Sequence, residues 1–363
     1  MKLRVLQVAY PMAPVSKDAV GGAEQVLATL DQALVEAGHD SWVLAQAGSR
    51  VSGRLCALPA PRGVLDEQAT STMQARYRAA LESLLREERF DLLHFHGIDV
   101  LSYLPAAGPP ALITLHLPPE WYPAEIFHLQ RPRTYLHCVS LSQQKRCAPS
   151  PNLLSAIGNG VDLRELRPAG RKRSFLLALG RICPEKGFEE AIEAARAADM
   201  PLLLAGKVYD YEAHRSYFEE VLRPRLSAKQ RFIGAIGLDR KRRLLAAARA
   251  LLVCSRVPET SSLVAMEALA CGTPVVAFPS GALAEIVDSG RTGFLVKDRF
   301  EMSAALARLD TLSGETCRQE AQRRFSRERM VQDYLRTYAS IVEGGRAASG
   351  ERNASRWNSL ERL

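Results

Sequence analysis

The sequence has no long uncharged apolar segment, and this sets the first limit on the kind of protein it is. Apolar residues make up 47% of the 363 residues, yet no run reaches the roughly 18 uncharged residues of a membrane-spanning helix. The apolar stretch at residues 3–9 is soon followed by Pro11 and Pro14, so it predicts a buried strand and not a signal peptide. We therefore expect a globular protein.

Paired cysteines and clustered metal ligands are also missing. The seven cysteines are an odd number, widely scattered and without a Cys-x-x-Cys pair, which favours a reducing, cytoplasmic setting over a disulfide framework. His94 and His96 have a spacing that zinc sites use, but no third ligand lies nearby in sequence. The chain also has no plausible Asp-x-Asp motif. The sequence thus predicts no metal and no cofactor.

The charge is positive overall but unevenly distributed. The net charge is +8, and residues 166–363 carry 33 basic against 24 acidic residues, whereas residues 1–165 are balanced at 15 against 16. A basic half could attract a diphosphate, an anionic membrane or nucleic acid. No nucleic-acid motif accompanies the charge, so no nucleic-acid partner is expected. Acidic residues offset the arginines of the amphipathic segment 68–88, so we expect at most weak peripheral membrane association.

Two domains of the same kind are expected from the length and from the order of the predicted elements. Strand-like and helix-like segments alternate in both halves, which predicts an α/β fold with parallel sheets and helices on both faces. The predicted strands are 3–9, 41–45, 92–96, 111–116, 136–140, 175–179, 201–205, 232–233, 250–255 and 275–278. The predicted helices are 23–36, 68–88, 187–198, 217–226, 240–248, 302–309, 317–325 and 327–342, with another after Ser262.

The domain boundaries follow from this pattern. Residues 1–165 form a predicted N-terminal Rossmann-like domain, 166–174 a polar linker, and 175–326 a second Rossmann-like domain. A helix at 327–343 comes next. Residues 344–363 are rich in Arg, Ser, Gly and Asn and are predicted to be disordered.

Two carboxylates lie eight residues apart in the most informative part of the chain. Glu259 falls in a loop after a predicted strand, and Glu267 falls in the helix that follows. Such loops form the carboxyl edge of a parallel sheet, where ligands bind. A carboxylate can accept hydrogen bonds from both hydroxyls of a cis-diol, so the pair suits a ribose or a sugar.

Glycines and cations precede helices at two other predicted strand ends. Gly21 and Gly22 follow the first strand, where glycine lets a backbone approach a ligand and a helix N-terminus attracts anions. Arg181 and Lys186 lie in the loop after the first strand of the second half, and both can bind phosphate oxygens.

The segment from Pro258 to Ala277 resembles the glutamate-pair signature of retaining GT-B glycosyltransferases of family 4. Gly-Arg181-x4-Lys186-Gly resembles the diphosphate clamp of the same family, and the resemblance covers about residues 3–343. It implies two facing Rossmann-like domains, with the terminal helix crossing back to the N-terminal domain. It also implies metal-independent hexosyl transfer, with retention, from a nucleoside-diphosphate sugar to an acceptor hydroxyl.

Roles for individual residues come from the same resemblance. Glu259 would hold the transferred sugar and Glu267 the ribose, while Arg181 and Lys186 would stabilise the departing diphosphate. His116, in the pattern Thr-x-His, resembles the residue whose imidazole faces the sugar, and His96 a residue that supports the cleft. The remaining predicted donor contacts are Gly21, Gly22, Gly206, Ile236, Ser261, Ser262 and Leu263.

Three matters stay open at this point. Relatives often have Phe-Gly where this chain has Ser261-Ser262, which leaves the identity of the sugar undetermined. The sequence does not identify the nucleotide or the acceptor either. A nucleotide-sugar epimerase of the same fold is one alternative function. A nucleotide-sugar-binding protein with a decayed site is the other.

Overall fold

The computed structural model describes residues 2–61 and 66–344, which divide into two compact units. One unit holds the residues up to Gly158 together with those from Met330 onward, and the other holds Asn159–Arg329. Each is a parallel sheet of six strands with helices, so the predicted α/β class with two Rossmann-like units is confirmed. The predicted disordered tail, beyond Gly344, lies outside the described residues.

The sheet of the first unit has the strand order β3-β2-β1-β4-β5-β6, and every neighbouring pair is parallel. Its strands are β1 (Arg4–Val8), β2 (Asp40–Gln46), β3 (Arg54–Leu58), β4 (Leu92–Phe95), β5 (Ala111–Leu115) and β6 (Thr134–Cys138). Both faces are covered, since every residue of β4 and β5 is buried. Along β2, Leu44 packs into the core that contains Tyr77, and Val43 into the core that contains Leu27.

The helices of the first unit supply these two cores. They are α1 (Gly22–Glu36), α2 (Glu67–Glu87), the short α3 (Leu141–Arg146) and, from Met330, the greater part of α11 (Arg327–Val342). Asp66 caps α2 by accepting a hydrogen bond from the backbone N–H of Ala69 at 2.8 Å. Met73, Tyr77 and Leu81 form the buried stripe of this helix, so its apolar side is explained by packing against the sheet.

The sheet of the second unit has the order β12-β11-β10-β7-β8-β9, again parallel throughout. Its strands are β7 (Leu176–Leu179), β8 (Leu202–Ala205), β9 (Gln230–Phe232), β10 (Ala250–Val253), β11 (Val275–Ala277) and β12 (Gly293–Leu295). Alternate residues enter opposite cores. Leu177 and Leu251 pack on one face of the sheet, and Leu176 and Leu252 on the other.

Helices cover both faces of this second sheet. They are α4 (Phe188–Ala197), α5 (Glu212–Ser216), α6 (Leu238–Ala247), α7 (Leu263–Ala270), α8 (Leu283–Ile286), α9 (Arg299–Leu306) and α10 (Gly314–Arg324). After α5 the chain stays helical through a π-helical turn, Tyr217–Leu222, and a 3₁₀ turn, Arg223–Arg225. None of the described helices of the chain is both long enough and apolar enough to cross a membrane.

The boundary between the units differs from the predicted one. It lies after Gly158, not after residue 165, and residues 166–174 belong to the second unit and do not form a free linker. Leu166 is 4% exposed in the second unit's core, and Lys172 donates hydrogen bonds to the carbonyls of Ala246 at 2.7 Å and Cys271 at 3.1 Å. Burial lowers the pKa of Lys172 to about 8. The polar composition of the segment concealed this packing, because a lysine stem can lie buried while its amine is fully hydrogen-bonded.

Candidate functional site

Both sheets reverse their strand order at one point, and the loops there carry predicted site residues. In the second unit β7 and β10 are neighbours, and the strands that follow each of them continue in opposite directions. Such a reversal opens a crevice at the carboxyl edge of a parallel sheet, because the adjoining connections pass to opposite faces. The loop after β7 contains Arg181 and Lys186, and the loop after β10 contains Glu259.

The structure brings Lys186 and Glu259 into direct contact. The Lys186 Nζ lies 2.5 Å from Glu259 Oε1, and the side chains are 27% and 12% exposed. Ser255, two residues after β10, donates its hydroxyl to the same carboxylate oxygen. Two residues that are 73 positions apart in sequence thus form one half-buried charged pair at the reversal point. The sequence placed Ser255 at the end of the predicted strand 250–255 and gave no sign of its role at the site.

A glycine fixes the backbone of Glu259. The residue forms a parallel bridge with Gly281, which has a φ of +59°. A Cβ at Gly281 would lie 2.3 Å from the Glu259 carbonyl oxygen, so no larger residue fits without moving that backbone. The carbonyl of Glu259 in turn accepts a hydrogen bond from Ala282 N–H at 2.8 Å.

Glu267 has a different partner, which the sequence did not reveal. It lies within α7, as predicted, and its Oε1 is 2.6 Å from Nζ of Lys241 on α6. Both side chains are largely buried, at 10% and 13% exposed. Lys241 belongs to a run of four basic residues, 240–243, and the sequence pattern of this run does not reveal the contact with Glu267. One Glu267 oxygen is engaged by this lysine, which places a carboxylate of fixed orientation on α7.

The remaining predicted residues of the second unit lie around this carboxyl edge. Arg181 is exposed and makes no ion pair within the described part of the chain. Gly206 follows β8, and a Cβ there would lie 1.8 Å from the Gly180 carbonyl oxygen, so glycine is needed for the close approach of the two loops. Ile236 is half-buried in the loop between β9 and α6.

The start of α7 is built by the serines, but not through side-chain capping. Ser262 occupies the N-cap position without a side-chain cap bond, and Leu263 is the first helical residue. The Ser261 hydroxyl is buried without a hydrogen-bond partner among the described residues. Ser262 is therefore the N-cap residue by position, without a capping bond from its side chain. The Ser262 backbone carbonyl instead accepts the first helical hydrogen bond, from Met266.

In the first unit, Gly21 and Gly22 lie where the sequence placed them. The helix α1 begins at Gly22, and Gly21 is its N-cap residue with an ordinary φ of −81°. No unusual backbone angle requires glycine at 21. A Cβ there would instead meet the Glu24 carboxylate at 1.9 Å, which the flexible Glu24 side chain can relieve. The room at this loop, and not its conformation, is what the glycines provide.

His116 and His96 end two neighbouring strands and contact each other. His96 Nδ1 lies 3.0 Å from His116 Nε2, with the rings stacked at 5.2 Å. The backbone N–H of His116 donates to the Tyr122 hydroxyl at 2.9 Å. Burial lowers the pKa of His116 to about 3 and that of His96 well below 6.5, so both imidazoles are neutral at physiological pH.

Two further buried histidines connect the sheet to α11. His94 lies 2.7 Å from the Thr114 hydroxyl and 2.6 Å from the Tyr338 hydroxyl, and Thr114 lies 2.7 Å from His137. Burial lowers the pKa of His94, and it lowers that of His137 to about 4. Sequence reasoning considered His94 only as a possible zinc ligand. The structure shows it as part of a hydrogen-bonded chain that ends on the terminal helix.

A separate hollow lies at the opposite, amino edge of the second sheet. We call it the arginine hollow; it has a volume of about 570 Å³ and is lined by Ala169, Gly170, Arg171, Arg173, Phe175, Arg240, Arg243, Leu244, Ala246 and Ala247. Its four arginines are exposed, and none has an acidic partner within residues 2–61 and 66–344. The hollow thus combines an apolar floor with a rim of four positive charges.

Comparison with protein families gives matches over most of the chain. The model of the family described as "Glycosyl transferases group 1" matches residues 163–329. The model described as "Glycosyltransferase Family 4" matches residues 20–165. Each match corresponds closely to one of the two structural units.

Individual proteins point the same way. The alpha-maltose-1-phosphate synthase of Mycobacterium tuberculosis is 29% identical over 218 residues, which is 53% of this chain and 55% of that protein, so the match spans about half the length of this curated relative. The crystal structure of AviGT4, a glycosyltransferase involved in avilamycin A biosynthesis, is 27% identical with a TM-score of 0.68, covering 94% of this chain and 99% of that one. The structure of the Anabaena protein Alr3699/HepE, solved with UDP and glucose, is 18% identical with a TM-score of 0.72. The match covers 93% of this chain and 100% of that one, and the two chains share the GT-B fold.

Proposed function

Because the chain belongs to the group 1 glycosyltransferases, we propose that it transfers a sugar from a nucleoside-diphosphate sugar to an acceptor hydroxyl, with retention at the anomeric carbon. The observation that carries this proposal is the contact between Lys186 and Glu259 at the strand-order reversal of the second unit. Nucleotides bind at such reversals in open α/β sheets. The UDP and glucose in Alr3699/HepE are in keeping with this donor class.

The chemistry of the site residues suits a departing diphosphate. As the glycosidic bond breaks, negative charge develops on the diphosphate, and Arg181 with Lys186 would stabilise it. Lys186 is already oriented by Glu259, so little reorganisation is needed before it meets a phosphate oxygen. Glu259 would accept hydrogen bonds from hydroxyls of the transferred sugar.

The nucleoside end of the donor would bind through Glu267. Lys241 engages one oxygen of this carboxylate, which leaves the other oxygen for a ribose hydroxyl. The Ser261 hydroxyl, buried without a partner in the described structure, and the backbone at the start of α7 would add contacts to the donor. For Gly21, Gly22 and His116 of the first unit, the proposed donor contacts rest on the resemblance alone.

We propose that this transfer needs no metal ion. Two cationic side chains and a helix N-terminus can neutralise a diphosphate without one. Turnover should therefore be the same with excess EDTA as without it. Loss of activity in EDTA that magnesium or manganese restores would overturn this part of the proposal.

The test of the function itself is turnover with a panel of nucleotide sugars. A thermal-shift screen of the panel first selects a donor, and release of the nucleoside diphosphate with and without acceptors then measures transfer. Formation of a glycoside with the donor's anomeric configuration is the expected result. Interconversion of donor sugars without release would indicate an epimerase instead, and binding without any turnover would indicate a decayed site.

At most weak peripheral membrane association is proposed for the whole chain.

A further inference from the structure

Three potential metal ligands lie close together at the loop that follows β7. One ligand atom from each of Cys183, Glu185 and His214 lies within 4.8 Å of the others. Cys183 and Glu185 belong to that loop, and His214 belongs to α5. The two segments are joined by a parallel bridge between Ile182 and Val208, with a 3.0 Å hydrogen bond from Ile182 N–H to the Lys207 carbonyl. The backbone therefore holds the three side chains together.

The imidazole of His214 is oriented but incompletely satisfied. Its ring packs edge-on against Tyr211, at 5.2 Å between centroids, and against Tyr209 at 6.3 Å. Its Nδ1 is buried and has no hydrogen-bond partner among the described residues. Buried polar atoms in folded proteins nearly always have a partner, so an orphan Nδ1 on a histidine whose ring lies beside a thiol and a carboxylate indicates a missing ligand.

The ligand set suits a borderline-soft divalent cation. A thiolate, an imidazole and a carboxylate are typical zinc ligands, and three of them leave a fourth tetrahedral position for water. Ligand atoms around zinc are about 3.5 Å apart, so small side-chain rotations from the observed spacing suffice. The two negative charges of Cys183 and Glu185 would balance the cation. We propose that Cys183, Glu185 and His214 bind one Zn²⁺-type ion.

Binding requires the Cys183 proton to leave. Cys183 is 3% exposed, and its thiol donates a hydrogen bond to the Arg181 carbonyl at 3.6 Å. The Cys183 S–H bond breaks as the sulfur–metal bond forms, and one proton is released to solvent. Affinity should therefore fall as the pH is lowered. Cys183 and Glu185 share their loop with Arg181 and Lys186, but metal binding is measured without donor or turnover, so failure of this proposal can be distinguished from failure of the proposed transfer.

Cobalt is the probe for the test, because Co²⁺ bound by a thiolate absorbs in the near ultraviolet. The full chain, carrying no added histidine tag, is titrated with Co²⁺. The expected result is a thiolate charge-transfer band that saturates at one Co²⁺ per chain and that Zn²⁺ abolishes. His214→Ala and Glu185→Gln should each weaken binding by about tenfold or more. Cys183→Ser should remove the band.

Matched controls separate this site from incidental binding. His128→Ala and Cys56→Ser remove an exposed histidine and a half-buried cysteine of the first unit and should leave the titration unchanged. His214 is only half-buried on a short helix, so His214→Ala should fold even if Cys183→Ser does not. Absence of a thiolate band in the unmodified chain, or the same band in His214→Ala, would overturn the proposal.

Discussion

At the scale of single residues, Lys186 is expected to contribute more to ligand binding than to the stability of the fold. Its ion pair with Glu259 shows why. Lys186 is 27% exposed, so its ion pair contributes little stability once solvent screening is considered. Glu259 would also keep its hydrogen bond from Ser255 if the lysine were removed. Loss of Lys186 should therefore affect binding far more than folding.

The first prediction concerns this cationic pair. Arg181→Ala or Lys186→Ala should each cost about 1.5–3 kcal/mol of donor binding and transfer, because a charge-assisted hydrogen bond is lost. Isothermal titration with the donor and steady-state kinetics measure the effect. Arg173→Ala, an exposed arginine of the arginine hollow, is the control and should bind donor normally. Unchanged kinetics in the Arg181/Lys186 double variant would rule out the diphosphate clamp.

The second prediction concerns the buried histidines of the first unit. His94, His96, His116 and His137 have pKa values lowered by burial, whereas the unfolded value is about 6.5. Just below pH 6.5 these four histidines are therefore protonated in the unfolded chain but stay neutral in the folded unit. Stability is therefore complete above about pH 6.5 and falls as the pH drops, by up to about 1.4 kcal/mol per pH unit for each histidine.

Calorimetric unfolding between pH 7 and pH 5 checks this dependence. Replacing His137 by Gln should reduce the proton uptake on unfolding relative to the unmodified chain. An uptake that this replacement leaves unchanged would contradict the assignment. The titration of these side chains could not be predicted from sequence, because it depends on their burial in the folded unit and not on their spacing.

At the scale of elements, central strands and edge strands differ in how well the sequence predicts them. The central strands β1, β4, β7 and β10 are apolar and buried on both faces, so the predicted runs match them within two residues. Of the four edge strands, β6 and β9 were predicted to within two residues, but β3 and β12 were missed. β3 begins with Arg54 and is half-exposed, and β12 has only three residues beginning with Gly293. A strand with one neighbour needs less apolar surface, so its sequence pattern is weak.

The candidate site shows the same limit. Loop residues next to apolar strands, such as Lys186 and Glu259, could be predicted because the sheet topology fixes where strand ends meet. The contact between Lys241 and Glu267 could not, because it joins two helices and depends on how they pack. The proximity of Cys183 and His214 could not be predicted either. The two residues are far apart in sequence, and the bridge between Ile182 and Val208 brings their segments together.

The third prediction tests the close approach of two loops of the second unit. Gly206→Ala would place a methyl group 1.8 Å from the Gly180 carbonyl oxygen, so the backbone must shift. We expect a loss of about 1–3 kcal/mol in the free energy of unfolding, as overpacking usually costs. Gly170→Ala is the matched control, since nothing lies within 4 Å of its Cβ position. Equal stability of the two variants in urea would show that the loops are not tightly packed.

At the scale of the whole molecule, part of the basic excess in the second half of the sequence is concentrated at the arginine hollow of the second unit. The excess of basic residues in the second half includes the four unpaired arginines of the arginine hollow. The amphipathic helix α2 of the first unit, by contrast, buries its apolar stripe in its own core. Any attraction to an anionic surface should therefore come from the second unit.

The fourth prediction is that the chain associates weakly with anionic vesicles, and only at low salt. Each exposed arginine contributes about 1 kcal/mol near such a surface, and salt screens this attraction. Alanine at the four arginines of the arginine hollow should abolish co-sedimentation with phosphatidylserine vesicles. Alanine at Arg76 and Arg86 of α2 is the control and should have no effect. Co-sedimentation that persists in high salt would contradict the prediction and favour a lipid-linked acceptor.

The division of the first unit into two stretches of chain has a consequence for its synthesis. Tyr338 on α11 is the partner of His94, so the sheet's buried histidines lack that partner until the last helix has been made. A ribosome adds roughly 5–20 residues per second, and the whole of Asn159–Arg329 is translated in between. Once Gly158 has been made, the N-terminal segment must therefore wait roughly 10–30 s for the helix that completes its unit. During that interval the second unit, which is continuous in sequence, can fold first, so the N-terminal part of the chain is the last to reach its final state.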